Sequence, residues 1–272
     1  MIGYVFIFFI LLLEGIYFTA YNLQNAYPLF GTTLSAVTFI FLILVPVLTM
    51  KTIAEERKQK TDQLLLTAPV SVSEIVLGKF LAVATVYAIP VLIICLYPMI
   101  MGKYGTVSYA MAYTAVLGFA LLGFAQIAVG VFWSSVTENP VIAAVVTSIV
   151  LYVCYMITGI GSLIPDSSMA SLACYMLLVL LAAVWIYHMI RNLWIAAVIG
   201  IAGEAGLAIT YVVKSTLFEG SIQKFLSVFD ITSHFDNFTN GILDLQGVVY
   251  FLSVIIIFLV LTVQTITKRR WN

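Results

Sequence analysis

Residues 80–190 carry three charged side chains in 111 positions: Lys103, Glu138 and Asp166. A water-soluble domain of ordinary composition is about a quarter charged, so no such tract can be the surface of one. The rest of the chain agrees. Of 272 residues 63% are hydrophobic and 9% charged, and 17 Gly with 7 Pro exclude collagen and low-complexity disorder. Apolar runs of about 20 residues are the length of a membrane-crossing helix. The fold class is therefore an all-α, polytopic transmembrane helical bundle of six to eight spans, in one domain over 1–272.

Charge and cysteine exclude other classes. Twelve Lys and Arg balance twelve Asp and Glu, which leaves no basic face for nucleic acid. Cys95, Cys154 and Cys174 stand singly in apolar runs and read as packing residues. Residues 4–13 resemble the apolar core of a signal peptide, but no cation precedes them, so they read as the start of a first span.

Polar breaks place the spans near 3–20, 34–50, 78–101, 108–133, 141–160, 170–188, 193–213 and 247–266. Pro46, Pro90 and Pro98 are tolerated as kinks. With both termini inside, Lys51, Arg57, Lys58, Lys60, Lys79, Arg191, Lys268, Arg269 and Arg270 lie on the cytoplasmic side, and Lys103, Lys214 and Lys224 outside. That bias satisfies the positive-inside rule. A six-span alternative keeps the same orientation, with the sixth and seventh runs as a re-entrant hairpin.

Nine of the 24 charges fall within 51–79. Residues 52–66 are mostly good helix formers, with charge at the start and Leu64, Leu65 and Leu66 at the end. Pro69 ends the run. Ser71 and Glu74 ahead of Ile75-Val76-Leu77 form a capping-box pattern for a helix entering the third span. Lys79 is expected to snorkel to the interface. A helix outside the bilayer with an exposed leucine cluster requires membrane lipid or a protein to cover it.

Glu55-Glu56-Arg57, Thr61, Leu64-Leu65-Leu66-Thr67-Ala68-Pro69-Val70 and Gly78-Lys79 resemble the cytoplasmic loop of type 2 ABC-transporter permeases, most closely the gliding-motility and copper-processing branch. Residues 235–244, from Phe235-Asp236-Asn237-Phe238 through Gly241 to Asp244, are similar to a second family segment before the last span. The resemblance implies a membrane subunit of a bacterial plasma-membrane exporter. It implies pairing with a second copy or a sister permease, and with cytoplasmic ABC ATPase subunits. Carried over, Glu55, Glu56, Arg57, Thr61, Leu64, Leu65, Leu66, Thr67, Ala68 and Pro69 would contact the ATPase. Phe235, Phe238 and Gly241 would belong to an outer gate. Two departures stand out. Lys60 occupies the place where the family usually has glycine, and residues 3–20 read as a span where many members have a basic amphipathic helix.

Two carboxylates fall within spans, where ionisable groups usually face the bundle interior or water. Ala196, Gly200, Glu204 and Ala208 share one helix face at i, i+4 spacing, and three of them are small enough to admit another backbone. Gly200 and Glu204 read either as part of a translocation path or as packing. Glu14 reads as a side chain reaching the outer interface. Residues 214–246 are too polar to span. Ile222, Phe225, Leu226 and Phe229 form one stripe with Ser221 as a cap, and Phe235, Phe238 and Ile242 continue it. Two amphipathic interfacial helices fit, as a gate or as a cover. His234 with Asp230 and Asp236 lacks the register of a metal site, so no metal and no cofactor is expected.

No phosphate-binding glycine loop, His-Glu-x-x-His or Gly-x-Ser-x-Gly is present. The expectation is transport without catalysis by this chain, ATP being hydrolysed by a separate subunit. Alternatives are an ion-gradient-driven secondary transporter, which calls for inverted repeats and mid-membrane polar groups, and a membrane-embedded lipid-modifying enzyme. The substrate is not legible.

Overall fold

The computed structural model describes residues 2–62, 70–190 and 192–270, and among them every regular element is helical. In chain order these are α1 (Ile2–Phe18, prolonged by a π-helical turn Thr19–Gln24), α2 (Phe30–Thr49), α3 (Ala54–Lys58), α4 (Val72–Ile94), α5 (Tyr97–Met101) and α6 (Tyr109–Val136). Then follow α7 (Pro140–Ser162), α8 (Ser168–Ile190), α9 (Leu193–Val213), a 3-10 turn (Ser215–Phe218), α10 (Ser221–Ser227), α11 (Ser233–Thr239) and α12 (Leu245–Arg270).

Six helical segments among the described residues are long and apolar enough to cross a membrane: Ile2–Gln24, Phe30–Lys58, Val72–Met101, Tyr109–Val136, Pro140–Ser162 and Leu245–Arg269. A seventh arises if Ala197–Val213 and Ser215–Ser227, bent by 116°, count as one span. The sixth and seventh apolar runs exist as helices α8 and α9. Among the described residues α8 contributes the shorter apolar stretch Ser168–Val184, and α9 contributes to the bent pair. The chain divides into two compact units, residues 155–230 and residues 1–154 with 231–272.

The larger unit is built round α6. Lipid tails are as apolar as leucine, so close packing and hydrogen bonds, not exclusion from water, hold such helices together. Small residues on α6 supply the close approach. A Cβ on Gly130 would fall 2.2 Å from the Thr49 hydroxyl of α2. One on Gly123 would fall 2.2 Å from the Tyr87 ring of α4, and one on Gly118 2.5 Å from Phe238 of α11. Tyr87 is wholly buried and donates to the Phe119 carbonyl at 2.7 Å. Its ring meets Phe6, Phe41 and Phe124 edge-on, at 6.4, 5.7 and 5.5 Å. Helices α1, α2, α4 and α6 thus converge on one side chain.

Ser71 caps α4 as expected. Its hydroxyl accepts from Glu74 N–H at 3.3 Å, and Glu74 Oε2 accepts from Ser71 N–H at 3.0 Å.

The smaller unit is a hairpin in which α9 runs back along α8. Gly200 lies against Ala183 and Gly203 against Val179, their Cβ positions 3.2 and 2.8 Å from those side chains. Phe218 in the 3-10 turn closes one end against Tyr175 and Tyr211, at 6.1 and 5.8 Å. Gln223 of α10 donates to the Ile164 carbonyl at 2.9 Å, and Thr158 donates to Asp230. Gly220, at φ +62°, precedes α10 as its N-cap. Ser221 is not the cap, because its hydroxyl donates back to the Phe218 carbonyl at 3.0 Å.

Candidate functional site

Met50 ends α2, and the chain turns into α3, which spans only Ala54–Lys58. The long helix expected over 52–66 is interrupted at its second turn. Lys60 adopts φ +59°, Lys60 N–H donates to the Arg57 carbonyl at 3.1 Å, and Thr61 N–H donates to the Glu56 carbonyl at 2.9 Å. That is a Schellman termination, with the left-handed position usually taken by glycine. Lys60 therefore occupies a site where the backbone itself disfavours a side chain. Lys60→Gly is expected to stabilise the fold by about 1 kcal/mol, read as a raised denaturant midpoint in detergent; an unchanged or lowered midpoint contradicts the strain.

What holds α3 comes from far along the chain. Ser134 is fully buried at the end of α6. Its hydroxyl oxygen accepts from Ile53 and Ala54 N–H, each at 3.1 Å, and donates to the Met50 carbonyl at 3.1 Å. It satisfies donors that the start of α3 would otherwise leave orphaned. Arg57 is buried and spreads its guanidinium over three acceptors: the Ser135 carbonyl at 2.5 Å, the Thr137 carbonyl at 3.0 Å and Glu138 Oε1 at 3.1 Å. The planar fork suits that geometry, and an ammonium does not. Arg269 of α12 joins from the other side, donating to the Val136 carbonyl at 3.3 Å and pairing with Glu138 at 3.9 Å.

Lys79 completes the clamp. It does not snorkel outward; its ammonium donates to the Thr52 carbonyl at 2.9 Å and pairs with Glu56. A half-buried ammonium takes the partner that desolvation demands. Glu55 faces outward, near Lys51 at 3.9 Å and Gln59 at 2.9 Å. The Thr61 hydroxyl donates to the Glu56 carbonyl at 3.2 Å. Glu55, Glu56, Arg57 and Thr61 are thus gathered on one short helix and its terminating turn. Leu64, Leu65, Leu66, Thr67, Ala68 and Pro69 lie outside the described residues. Ser134, Ser135, Lys79, Glu138 and Arg269 are partners the sequence did not reveal. Glu138 in an otherwise uncharged tract was the available signal.

At the opposite end of this unit, α11 is inserted into the bundle. Phe235 is 1% exposed and Phe238 is fully buried; Phe235 meets Phe119 at 6.3 Å and Phe238 meets Phe251 at 6.3 Å. A Cβ on Gly31 would fall 2.1 Å from the Thr239 carbonyl oxygen, so α2 and α11 touch backbone to backbone there. Gly241, at φ +77°, ends α11 in a second Schellman turn, with Ile242 N–H donating to the Asn237 carbonyl at 2.9 Å. The Asn237 amide, followed by Gln246 N–H, holds the Asp244 carboxyl below the usual carboxylate range. Ile222 of α10 is buried, whereas Phe225 and Phe229 are exposed, so the expected stripe is covered only in part. His234 is stacked on Tyr250 at 3.8 Å.

Of the two acids in apolar runs, Glu14 differs from the sequence reading in its surroundings. Glu14 is fully buried on the face of α1 turned towards α4 and α5, and neither carboxyl oxygen has a hydrogen-bond partner. It does not reach an interface. A Cβ on its neighbour Gly15 would lie 3.8 Å from the Tyr97 hydroxyl. Glu204 lies with Gly200 on a groove between α8 and α9, and its Oε1 is buried without a partner. No group of three or more His, Cys, Asp or Glu among the described residues is placed to hold a metal.

The described residues make a multi-pass class of helical membrane protein, whose larger unit has a polar segment pinned at one end and an aromatic helix set into the other. The chain belongs to the ABC-2 transporter family: the model described as "ABC-2 family transporter protein" matches residues 4–269. It is thereby a membrane permease of an ABC transport system. Comparison with curated proteins and with solved structures gave no match.

Proposed function

We propose that this chain is the membrane half of an exporter in a bacterial plasma membrane. It works with a second copy or a sister permease, and a separate cytoplasmic ABC ATPase drives it through residues 51–78. The two termini lie in the cytoplasm, 214–246 faces the outside, and 1–272 acts as one permease domain. The gliding-motility and copper-processing branch remains the nearest resemblance of the loop.

The observation that carries this reading is the clamp on α3. Ser134 and Arg57 tie α3 to the end of α6, Lys79 ties it to α4, and Glu138 bridges Arg57 to Arg269 of α12. A push on the loop is thereby delivered to the helices that make up the centre of the bundle. Packed interfaces of this kind switch between discrete arrangements and do not deform continuously. Glu55 and the 64–69 segment offer the outward contact with the ATPase. Gly200 and Glu204 lie along the translocation path, and Phe235, Phe238 and Gly241 form the outer seal.

Purification of the tagged chain in mild detergent tests this. A nucleotide-binding ATPase is expected to co-purify, and Leu64, Leu65 and Leu66 changed together to Ser are expected to release it. Lys58→Cys, on the exposed side of α3, is expected to escape impermeant thiol reagents in intact cells. A chain that purifies alone and transports on an ion gradient, or a Lys58→Cys variant that is labelled from outside, overturns the reading.

A further inference from the structure

We propose that the groove between α8 and α9 binds an amphiphile, an apolar chain bearing a primary amine, and that Glu204 receives the amine. The inference rests on the exporter reading, because it names the class of molecule carried along that path.

The groove has a volume of about 700 Å³, within the range of sites for drug-sized molecules. Met176, Leu180, Val184, Ile201 and Ala205 give it apolar walls, and Glu204 is the one carboxylate among its described lining residues. The tight contacts of Gly200 with Ala183 and Gly203 with Val179 fix the two helices along one line. Glu204 Oε1 is buried there without a hydrogen-bond partner. A covered carboxyl oxygen left unpaired is costly, and a donor carried in on an apolar body would satisfy the Glu204 carboxyl as its side chain turns to face the groove. An amine does so by a charge-assisted hydrogen bond, about twice as strong as a neutral one. A second copy of this chain is the poorer occupant: an isologous contact sets each patch against itself and brings two Glu204 side chains towards one another, with no cation among the described lining residues.

The test uses the full chain in lipid nanodiscs and dodecylamine carrying a diazirine on its alkyl chain. Light-dependent labelling is expected in peptides of α8 and α9, displaced by unlabelled dodecylamine at roughly tenfold lower concentration than by dodecanol. Glu204→Gln, nearly isosteric, is expected to abolish that tenfold preference. Gly200→Leu is expected to abolish the labelling itself. Labelling spread evenly over the apolar helices, or equal displacement by amine and alcohol in the unmodified chain, overturns the proposal; the second readout holds even if a variant fails to fold. Disulfide cross-linking of Ala205→Cys between copies that blocks labelling makes the groove a copy interface and also overturns it. Amine binding without a co-purifying ATPase sinks the exporter reading alone. Co-purification without amine preference sinks only this inference.

Discussion

Arg57→Ala is expected to lower the stability of the chain in detergent by about 3 kcal/mol and to open 50–62 to proteases. The guanidinium bonds two carbonyls at the end of α6 that lie 78 and 80 residues away in sequence. Removing it leaves those acceptors without the donor that fills their site. Arg57→Lys is expected to recover less than half of the loss, because one ammonium cannot span the Ser135 and Thr137 carbonyls and Glu138 together. Glu138→Ala is expected to cost under about 1 kcal/mol, since the Glu138 side chain is 73% exposed and its share of the pair is screened. Equal effects from the arginine and the glutamate changes would show that the clamp is a surface ion pair and not a buried brace. Denaturant unfolding followed by intrinsic fluorescence measures the first quantity, and limited proteolysis the second.

Gly123→Val is expected to be still more damaging, by about 3–5 kcal/mol or outright failure to assemble. The new Cβ would sit 2.2 Å from the Tyr87 ring, and that ring cannot swing away, being wedged among Phe6, Phe41, Phe119 and Phe124. Any movement also breaks the hydroxyl bond to Phe119. Gly123→Ala combined with Tyr87→Phe is expected to recover part of the loss, because one of the clashing atoms, the hydroxyl oxygen, is removed. The readout is the fraction of monodisperse protein and its midpoint of unfolding. A Gly123→Val chain as stable as the parent would mean that Tyr87 does not occupy this position.

The helices themselves were legible because apolar runs end where polar residues begin. The fourth run, expected near 108–133, is Tyr109–Val136, and the fifth, expected near 141–160, is Pro140–Ser162. The capping box at Ser71 and Glu74 was readable because both halves of it lie within four residues. The clamp was not, for the opposite reason: Ser134 and Arg57 act across about eighty residues, and no local pattern records that. Nor did composition reveal how short α3 would be, since its residues favour helix and a backbone turn at Lys60 overrules them. In the sequence Glu204 stood out by the small residues on its helix face, and Glu14 was read as reaching the outer interface. Tertiary packing alone separates a sealed carboxyl from one on a groove. The apolar stripe of 235–242 announced an amphipathic helix, but a stripe states only that a face will be covered, not that α6 and α12 will cover it.

On the proposed reading of α11 as the outer seal, its two phenyl rings would set a resting leak rate. Drawing Phe235 and Phe238 from their sockets into water costs about 3–6 kcal/mol. At equilibrium only about one molecule in 10² to 10⁴ would then stand ajar without fuel. A conduit corked so firmly would keep the membrane's ion gradients intact while idle, and its idling permeability is expected to climb steeply when either ring is trimmed to alanine.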